Sequence, residues 1–263
     1  MKQRTISAIV MLILLVASLI LNNVLFEIAM LIIALLGFNE FFNIKYNGVK
    51  IKERLFSVKF LGMLSLIFVM LNNVFYRFDT NVIVLLPLLM LSLPIVLYND
   101  NSVYSINDFL YVLGIIYFLG LSFGNIIWLR DTDVIKCIFI FIIAFITDTY
   151  AYIGGSLIGR HKLTTISPKK TIEGSIIGTL MGTLIGTVYY YNLVGNVTLF
   201  KVIAFCFVLT ILSEIGDLIF SSIKRYFNKK DYSNLIPGHG GILDRFDSVI
   251  YVSLGLSLIL SIF

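Results

Sequence analysis

Nine stretches of this chain are long and apolar enough to cross a lipid bilayer, and no other feature constrains its fold as strongly. They run from Ile6 to Leu21, Val24 to Phe42, Leu55 to Leu71, Val82 to Leu97, Phe109 to Leu129, Val134 to Gly154, Ile172 to Tyr191, Leu199 to Phe220 and Ser248 to Phe263. A hydrocarbon layer about 30 Å thick needs roughly 20 residues of helix at about 1.5 Å per residue. In lipid the backbone polar groups must pair within their own segment, so these stretches are helices and not open strands. Composition agrees. Hydrophobic residues make up 59% and charged residues 13% of the 263 positions, with a mean hydropathy of +0.97, whereas a soluble domain is about a quarter charged. That shortfall excludes a soluble enzyme, a disordered chain, a secreted disulfide scaffold and a coiled coil. The expected fold is an all-α integral membrane protein, a polytopic bundle of about nine transmembrane helices. The first, fourth and last spans are short, and Pro87 and Pro94 are expected to bend the fourth. Met1-Lys2-Gln3-Arg4 before the first run resembles the start of a signal peptide. No small-residue cleavage site follows, so the run reads as a retained helix.

Nine spans put the termini on opposite sides. With the N-terminus inside, the inner segments hold sixteen of the twenty Lys and Arg, and the outer ones keep Arg77, Arg130, Lys136 and Lys201. Basic residues concentrate on the cytoplasmic side, so this split predicts a cytoplasmic N-terminus. The inner loop from Tyr98 to Asp108 has no Lys or Arg, which makes the middle of the topology its weakest part. The net charge of +5 therefore reports orientation first and anionic partners second. No nucleic-acid partner is expected. Cys137 and Cys206 lie in apolar stretches without a C-x-x-C spacing and read as small core residues. Leu21-Asn22-Asn23-Val24 recurs as Leu71-Asn72-Asn73-Val74, which reads as two independent Asn-rich turns rather than a duplicated hairpin.

Polar residues divide the chain into a scaffold of helices over 1–130 and a catalytic region over 131–263, with cytoplasmic loops at 155–171 and 222–247. In the second part acids enter the helices. Asp148, Tyr152, Gly155 and Gly159 share one helix face, and Asp148 lies ~9 Å below the inner surface by helix rise. An acid at that depth needs a partner or a water-filled cavity; a structural hydrogen bond between helices is the alternative. Ser167-Pro168-Lys169-Lys170-Thr171-Ile172-Glu173-Gly174 opens the seventh span. Two lysines beside a helix N-terminus make an anion site, or else a basic loop that only sets topology. Gly174, Gly178, Gly182 and Gly186 form a four-residue periodicity for close helix packing.

The most informative stretch is the third. Glu214, Asp217, Ser221 and Lys224 share one helical face; Asp244, Asp247 and Ser248 share another. Between them the Pro237-Gly238-His239-Gly240-Gly241 turn lets backbone N–H groups approach an anion. Carboxylates on two helix ends among lysines and arginines suit a hard divalent cation bridging phosphates. His239 binds phosphate, donates a proton or simply orders the turn, and Asp231 with Arg245 reads equally as an ordinary charge pair.

Ser221, Ile223-Lys224-Arg225, Lys230-Asp231, Ser233, Ile236-Pro237-Gly238-His239-Gly240-Gly241 and Asp244-Arg245-Phe246-Asp247 together resemble the signature of the phosphatidate cytidylyltransferases, or CDP-diacylglycerol synthases. Asp148-Thr149-Tyr150-Ala151-Tyr152 and the Ser167–Gly174 stretch resemble upstream motifs of the same family. The likeness is close over the C-terminal half and general over the first. It implies that CTP and phosphatidate give CDP-diacylglycerol and pyrophosphate with Mg²⁺, at a site facing the cytoplasm in the cell (inner) membrane. It further implies catalytic roles for Asp217, Asp244, Lys224 and Arg225, with Asp217 and Asp244 holding the metal. Substrate contacts are expected from Asp148, Lys169, Lys170, Ser221, Gly238, His239, Gly240, Gly241, Arg245 and Asp247. The expected partners are CTP, the phosphatidate lipid and the bilayer, with a homodimer left open. Two other classes are weighed against this reading. Another CTP-using lipid enzyme, such as an ether-lipid CDP synthase or a polyprenol kinase, would share the topology but differ in product. An ion-coupled transporter would account for the helices but not for dense Gly, Lys and Asp motifs confined to two inner loops.

Overall fold

The computed structural model describes residue 13 and residues 15–46, 52–75, 78–98, 100, 103–195, 197–236, 238 and 240–262. Eight long helices carry the described chain: α1 (Asn23–Tyr46), α2 (Lys52–Phe75), α3 (Thr80–Tyr98), α4 (Ile106–Thr132), α5 (Val134–Ile158), α6 (Ile172–Leu193), α7 (Leu199–Tyr226) and α8 (Leu243–Ile262). Each is long and apolar enough to cross a membrane, and the protein is a multi-pass membrane protein. Of the first expected span, residues 15–21 are helical and the start lies outside the described residues. The only extended pairings among the described residues are isolated bridges, Lys162 with Thr171 and Ile236 with Gly240.

The helix ends depart from the hydropathy reading. The span expected to stop at Phe220 continues to Tyr226, and the one expected to start at Ser248 begins at Leu243. The long inner loops therefore shrink to 159–171 and 227–242. Hydropathy marks where lipid is the solvent, whereas a helix continues wherever protein groups satisfy its polar side chains. Asp244 and Asp247 consequently sit on the first turns of α8, as their shared helical face implies, although the hydropathy limit left them in the preceding loop. Helix α3 runs through both Pro87 and Pro94.

The chain divides into two compact units. One contains the described residues up to Trp128 together with Tyr232–Ile242; the other contains Leu129–Asp231 and the chain from Leu243 onward. In the first, Phe26, Met30, Ala34 and Phe38 form a buried stripe along α1 at four-residue intervals. Lys45 pairs with Asp108 at 2.7 Å, and Tyr46 donates its hydroxyl to the same carboxylate at 2.9 Å, joining the end of α1 to the start of α4. Asn22 accepts from the Val24 N–H at 3.0 Å as a cap of α1, while Asn72 lies inside α2 and accepts from the Phe78 N–H at 2.9 Å. The second of the two expected Asn-rich turns is therefore helix, because Asn72 and Asn73 both fall within α2.

In the second unit the glycine face of α6 lies against α5. A Cβ added at Gly174 would stand 2.5 Å from the Ala151 carbonyl oxygen, and one at Gly178 would stand 2.7 Å from that of Thr147. No other residue leaves room for this approach, which is how small residues draw helices together in lipid. Cys137 and Cys206 are fully buried free thiols.

Candidate active site

The second unit gathers its charges where α5 ends, α6 begins, α7 ends and α8 begins. The α5–α6 loop is folded by its own groups. Leu163 N–H donates to the Lys170 carbonyl at 2.9 Å, Lys170 N–H to that of Ser167 at 3.0 Å, and Ile172 N–H to that of His161 at 2.9 Å. Thr171 then caps α6, its hydroxyl accepting from the Gly174 N–H at 3.2 Å. Glu173 reaches back from the first turn to accept from the N–H groups of Arg160 and His161 at 3.1 and 3.2 Å. Its other oxygen meets the His161 ring at 2.6 Å. These bonds fix the backbone on either side of Lys170.

Lys170 so placed meets Asp217 of α7 at 2.6 Å. One turn on, Ser221 donates to Asp217 at 3.3 Å. One turn further, Lys224 meets Asp244 of α8 at 2.5 Å, with side-chain exposures of only 9% and 4%. Asp247, one turn into α8, is buried and accepts from the Ser248 N–H at 2.9 Å. The charges of Asp148 and Asp217 act on it, as does that of Lys224. Asp148, on α5, is in turn within electrostatic reach of Asp217, Glu214 and Lys170. Glu214 accepts hydrogen bonds from Ser175 and Thr179 of α6, so it is a helix-to-helix tie.

The expected site is thus assembled in part. Asp148, Lys170, Asp217, Ser221, Lys224, Asp244 and Asp247 come together. Lys169 and Arg245 are exposed. Arg225 is exposed as well and donates to the Lys229 carbonyl at 2.7 Å, where it closes the end of α7. Gly238, Gly240 and Gly241 belong to the other unit, and His239 lies outside the described residues. Gly238 and Gly240 have φ of 78° and 84°, a conformation that glycine adopts without strain. Ile236 N–H donates to the Gly240 carbonyl at 2.9 Å and closes this turn.

Sequence reasoning missed Ser175, Thr179 and the Glu173–His161 pair, whose partners are on other elements. It also missed Glu40, which accepts from the Ser233 hydroxyl at 2.6 Å and from the Ile242 N–H at 2.9 Å. An acid inside an apolar span was the available signal, the same one that singled out Asp148.

Carboxylate oxygens are the donors that a hard divalent cation takes. Among the described residues no three acidic, cysteine or histidine side chains form a metal cage, but Mg²⁺ uses one or two carboxylates completed by phosphate and water. Five carboxyl groups (Asp148, Glu214, Asp217, Asp244, Asp247) stand near two ammoniums (Lys170, Lys224), a set of oxygen donors of the kind a hard cation takes.

The model of the cytidylyltransferase family matches residues 2–263. Proteins described as phosphatidate cytidylyltransferase from Staphylococcus haemolyticus and Staphylococcus aureus are 30% identical over 265 residues and 32% identical over 266, respectively. One from Staphylococcus epidermidis is 32% identical over 269 residues. In each comparison 99% of both chains is covered. A match of that extent, on a chain whose lysines and aspartates meet at one end of four helices, identifies the protein as a member of the cytidylyltransferase family.

Proposed function

We propose that this protein transfers the cytidylyl group of CTP to phosphatidate, giving CDP-diacylglycerol and pyrophosphate for phospholipid synthesis. The observation that carries the reading is the pair of lysine–aspartate contacts, Lys170 with Asp217 and Lys224 with Asp244, in a chain similar end to end to enzymes of that name.

The chemistry asks for little acid–base help. A phosphate monoester has its second pKa near about 6, so phosphatidate is mostly dianionic at neutral pH. One of its oxygens bonds to the α-phosphorus of CTP as the bond from that phosphorus to the β-phosphate bridging oxygen breaks, and pyrophosphate leaves with the electron pair. The difficulty is to bring two polyanions together and to stabilise the charge that develops on the leaving group. Lys170 and Lys224 supply fixed positive charge for this. Their aspartate partners hold both ammoniums oriented, so little reorganisation is needed when phosphate oxygens arrive. Lys169, Arg225 and Arg245, exposed nearby in sequence, belong to the same proposal as contacts for the outer phosphates. Ser221, Asp247 and Asp148 belong to it as groups that line the substrates. Asp217 and Asp244 are the residues that would hold Mg²⁺, which when bound shields phosphate charge.

The proposal includes the turn at Gly238–Gly241 as an anion contact, a site on the cytoplasmic face of the cell membrane, and self-association as a homodimer. The orientation rests on the basic-residue asymmetry. The test is an assay of purified protein with labelled CTP, phosphatidate and Mg²⁺. Formation of CDP-lipid with one pyrophosphate per turnover supports the reading. A lipid phosphate as product would make it a kinase, and no CTP consumption would remove the activity.

A further inference from the structure

Glu40 is 3% exposed on α1, a helix otherwise read as scaffold. One of its carboxylate oxygens accepts two hydrogen bonds from a segment about two hundred residues away. The Ser233 hydroxyl donates at 2.6 Å and the Ile242 N–H at 2.9 Å. These donors stand at the two ends of the glycine turn. Between them the turn closes on itself through Ile236 and Gly240. Gly241 is buried against the same carboxylate: a Cβ there would stand 2.5 Å from both Glu40 oxygens. The neighbouring Phe41 packs edge-to-face on Tyr232 at 5.2 Å between ring centroids, so the contact continues just before the turn.

We propose that Glu40 is a positioning residue for the reaction: its carboxylate latches both ends of the Ser233–Ile242 turn to α1 and sets the conformation in which the turn meets an anionic substrate. This rests on the cytidylyl-transfer reading, in which that turn contacts phosphate. The physical requirement is specific. A hydroxyl and an amide N–H both point at one buried spot, which only an acceptor can satisfy, and an unpaired buried donor is costly. Glycine at position 241 leaves the volume that the carboxylate fills. The latch therefore consists of an acid on α1, a donor at each end of the turn and a residue without a side chain beside them.

The experiment uses full-length protein in dodecyl maltoside micelles, with CTP and phosphatidate as substrates. It compares the parent with Glu40→Ala, Glu40→Gln, Ser233→Ala, Gly241→Ala and the double variant Glu40→Ala/Gly241→Ala. Hydrogen exchange over residues 233–243 is read alongside turnover and needs no activity. Expected for Glu40→Ala are faster exchange in that stretch and kcat/KM lower by about tenfold or more. Glu40→Gln keeps a carbonyl acceptor and is expected within about threefold of the parent, and Ser233→Ala between the two. Gly241→Ala is expected to damage the parent strongly but to add little to Glu40→Ala, because the atoms it collides with are then absent. Unchanged exchange in both Glu40→Ala and Ser233→Ala would overturn the latch. So would faster exchange with parent kcat/KM, or additive effects of Glu40→Ala and Gly241→Ala. A parent that exchanges as described but forms no CDP-lipid would instead overturn the cytidylyl-transfer reading, and with it the role given to the turn.

Discussion

Removing one partner of the Lys224–Asp244 pair is the perturbation with the clearest magnitude. The two groups meet at 2.5 Å with 9% and 4% side-chain exposure. At an effective dielectric constant of about 20 their attraction is about 6–7 kcal/mol. Desolvation takes back several kcal/mol per ion, so the intact pair adds little net stability. Breaking it is different, because the remaining charge stays buried without its counter-ion, and that costs about 3–5 kcal/mol. Lys224→Met and Asp244→Leu are each expected to lower the unfolding free energy by about 3 kcal/mol. The double variant, which leaves neither member of the pair without the other, is expected to recover most of that loss. Turnover should behave otherwise. All three variants are expected to lose about a hundredfold or more in kcat, since the double variant restores packing but not the charge at the leaving group. Reversible unfolding in mixed micelles, followed by helix circular dichroism, gives the first quantity, and CDP-lipid formation gives the second. A double variant whose instability equals the two single losses combined would refute the buried-pair reasoning. One that regained turnover would refute the catalytic role of Lys224.

Other outcomes follow from the same structure. Lys170→Ala is expected to lower turnover about tenfold or more and Lys170→Arg much less, because the partly exposed pair with Asp217 needs charge more than shape; steady-state kinetics in CTP decide this. Chelation of divalent cations is expected to stop turnover and Mg²⁺ to restore it, with Asp217→Asn inactive at every Mg²⁺ concentration; wild-type rates with an unchanged Mg²⁺ midpoint would remove that carboxylate from the metal site. Gly178→Ala should lower stability by about 1–3 kcal/mol, because its Cβ would meet the Thr147 carbonyl at 2.7 Å. Gly114→Ala, with nothing within 4 Å of the added atom, should stay within about 0.5 kcal/mol by thermal inactivation. Lys162→Cys and Lys229→Cys are expected to resist an impermeant thiol reagent in intact cells; labelling from outside would reverse the orientation.

The spans, the glycine face and the capping threonine were legible in the order of residues because each depends on local quantities. Hydropathy over about 20 residues sets where lipid is the solvent. Glycines at 174, 178, 182 and 186 set which face of α6 admits a neighbour, and Thr171 ahead of Glu173 and Gly174 sets where that helix starts. The one-sidedness of Glu214, Asp217, Ser221 and Lys224 followed from helix geometry alone. Which charges meet was decided by tertiary structure. The partner of Asp217 is Lys170 across the α5–α6 connection, the partner of Lys224 is Asp244 on the next helix, and Arg225, adjacent to Lys224, instead closes a helix end. The helix limits at Tyr226 and Leu243 shifted for the same reason: local hydropathy sees water where the folded chain supplies a counter-ion. Glu40 is the extreme case, since its donors lie 193 and 202 residues away. Sequence alone marks it as a costly acid in an apolar helix, and the packing that brings the glycine turn to it makes that acid tolerable.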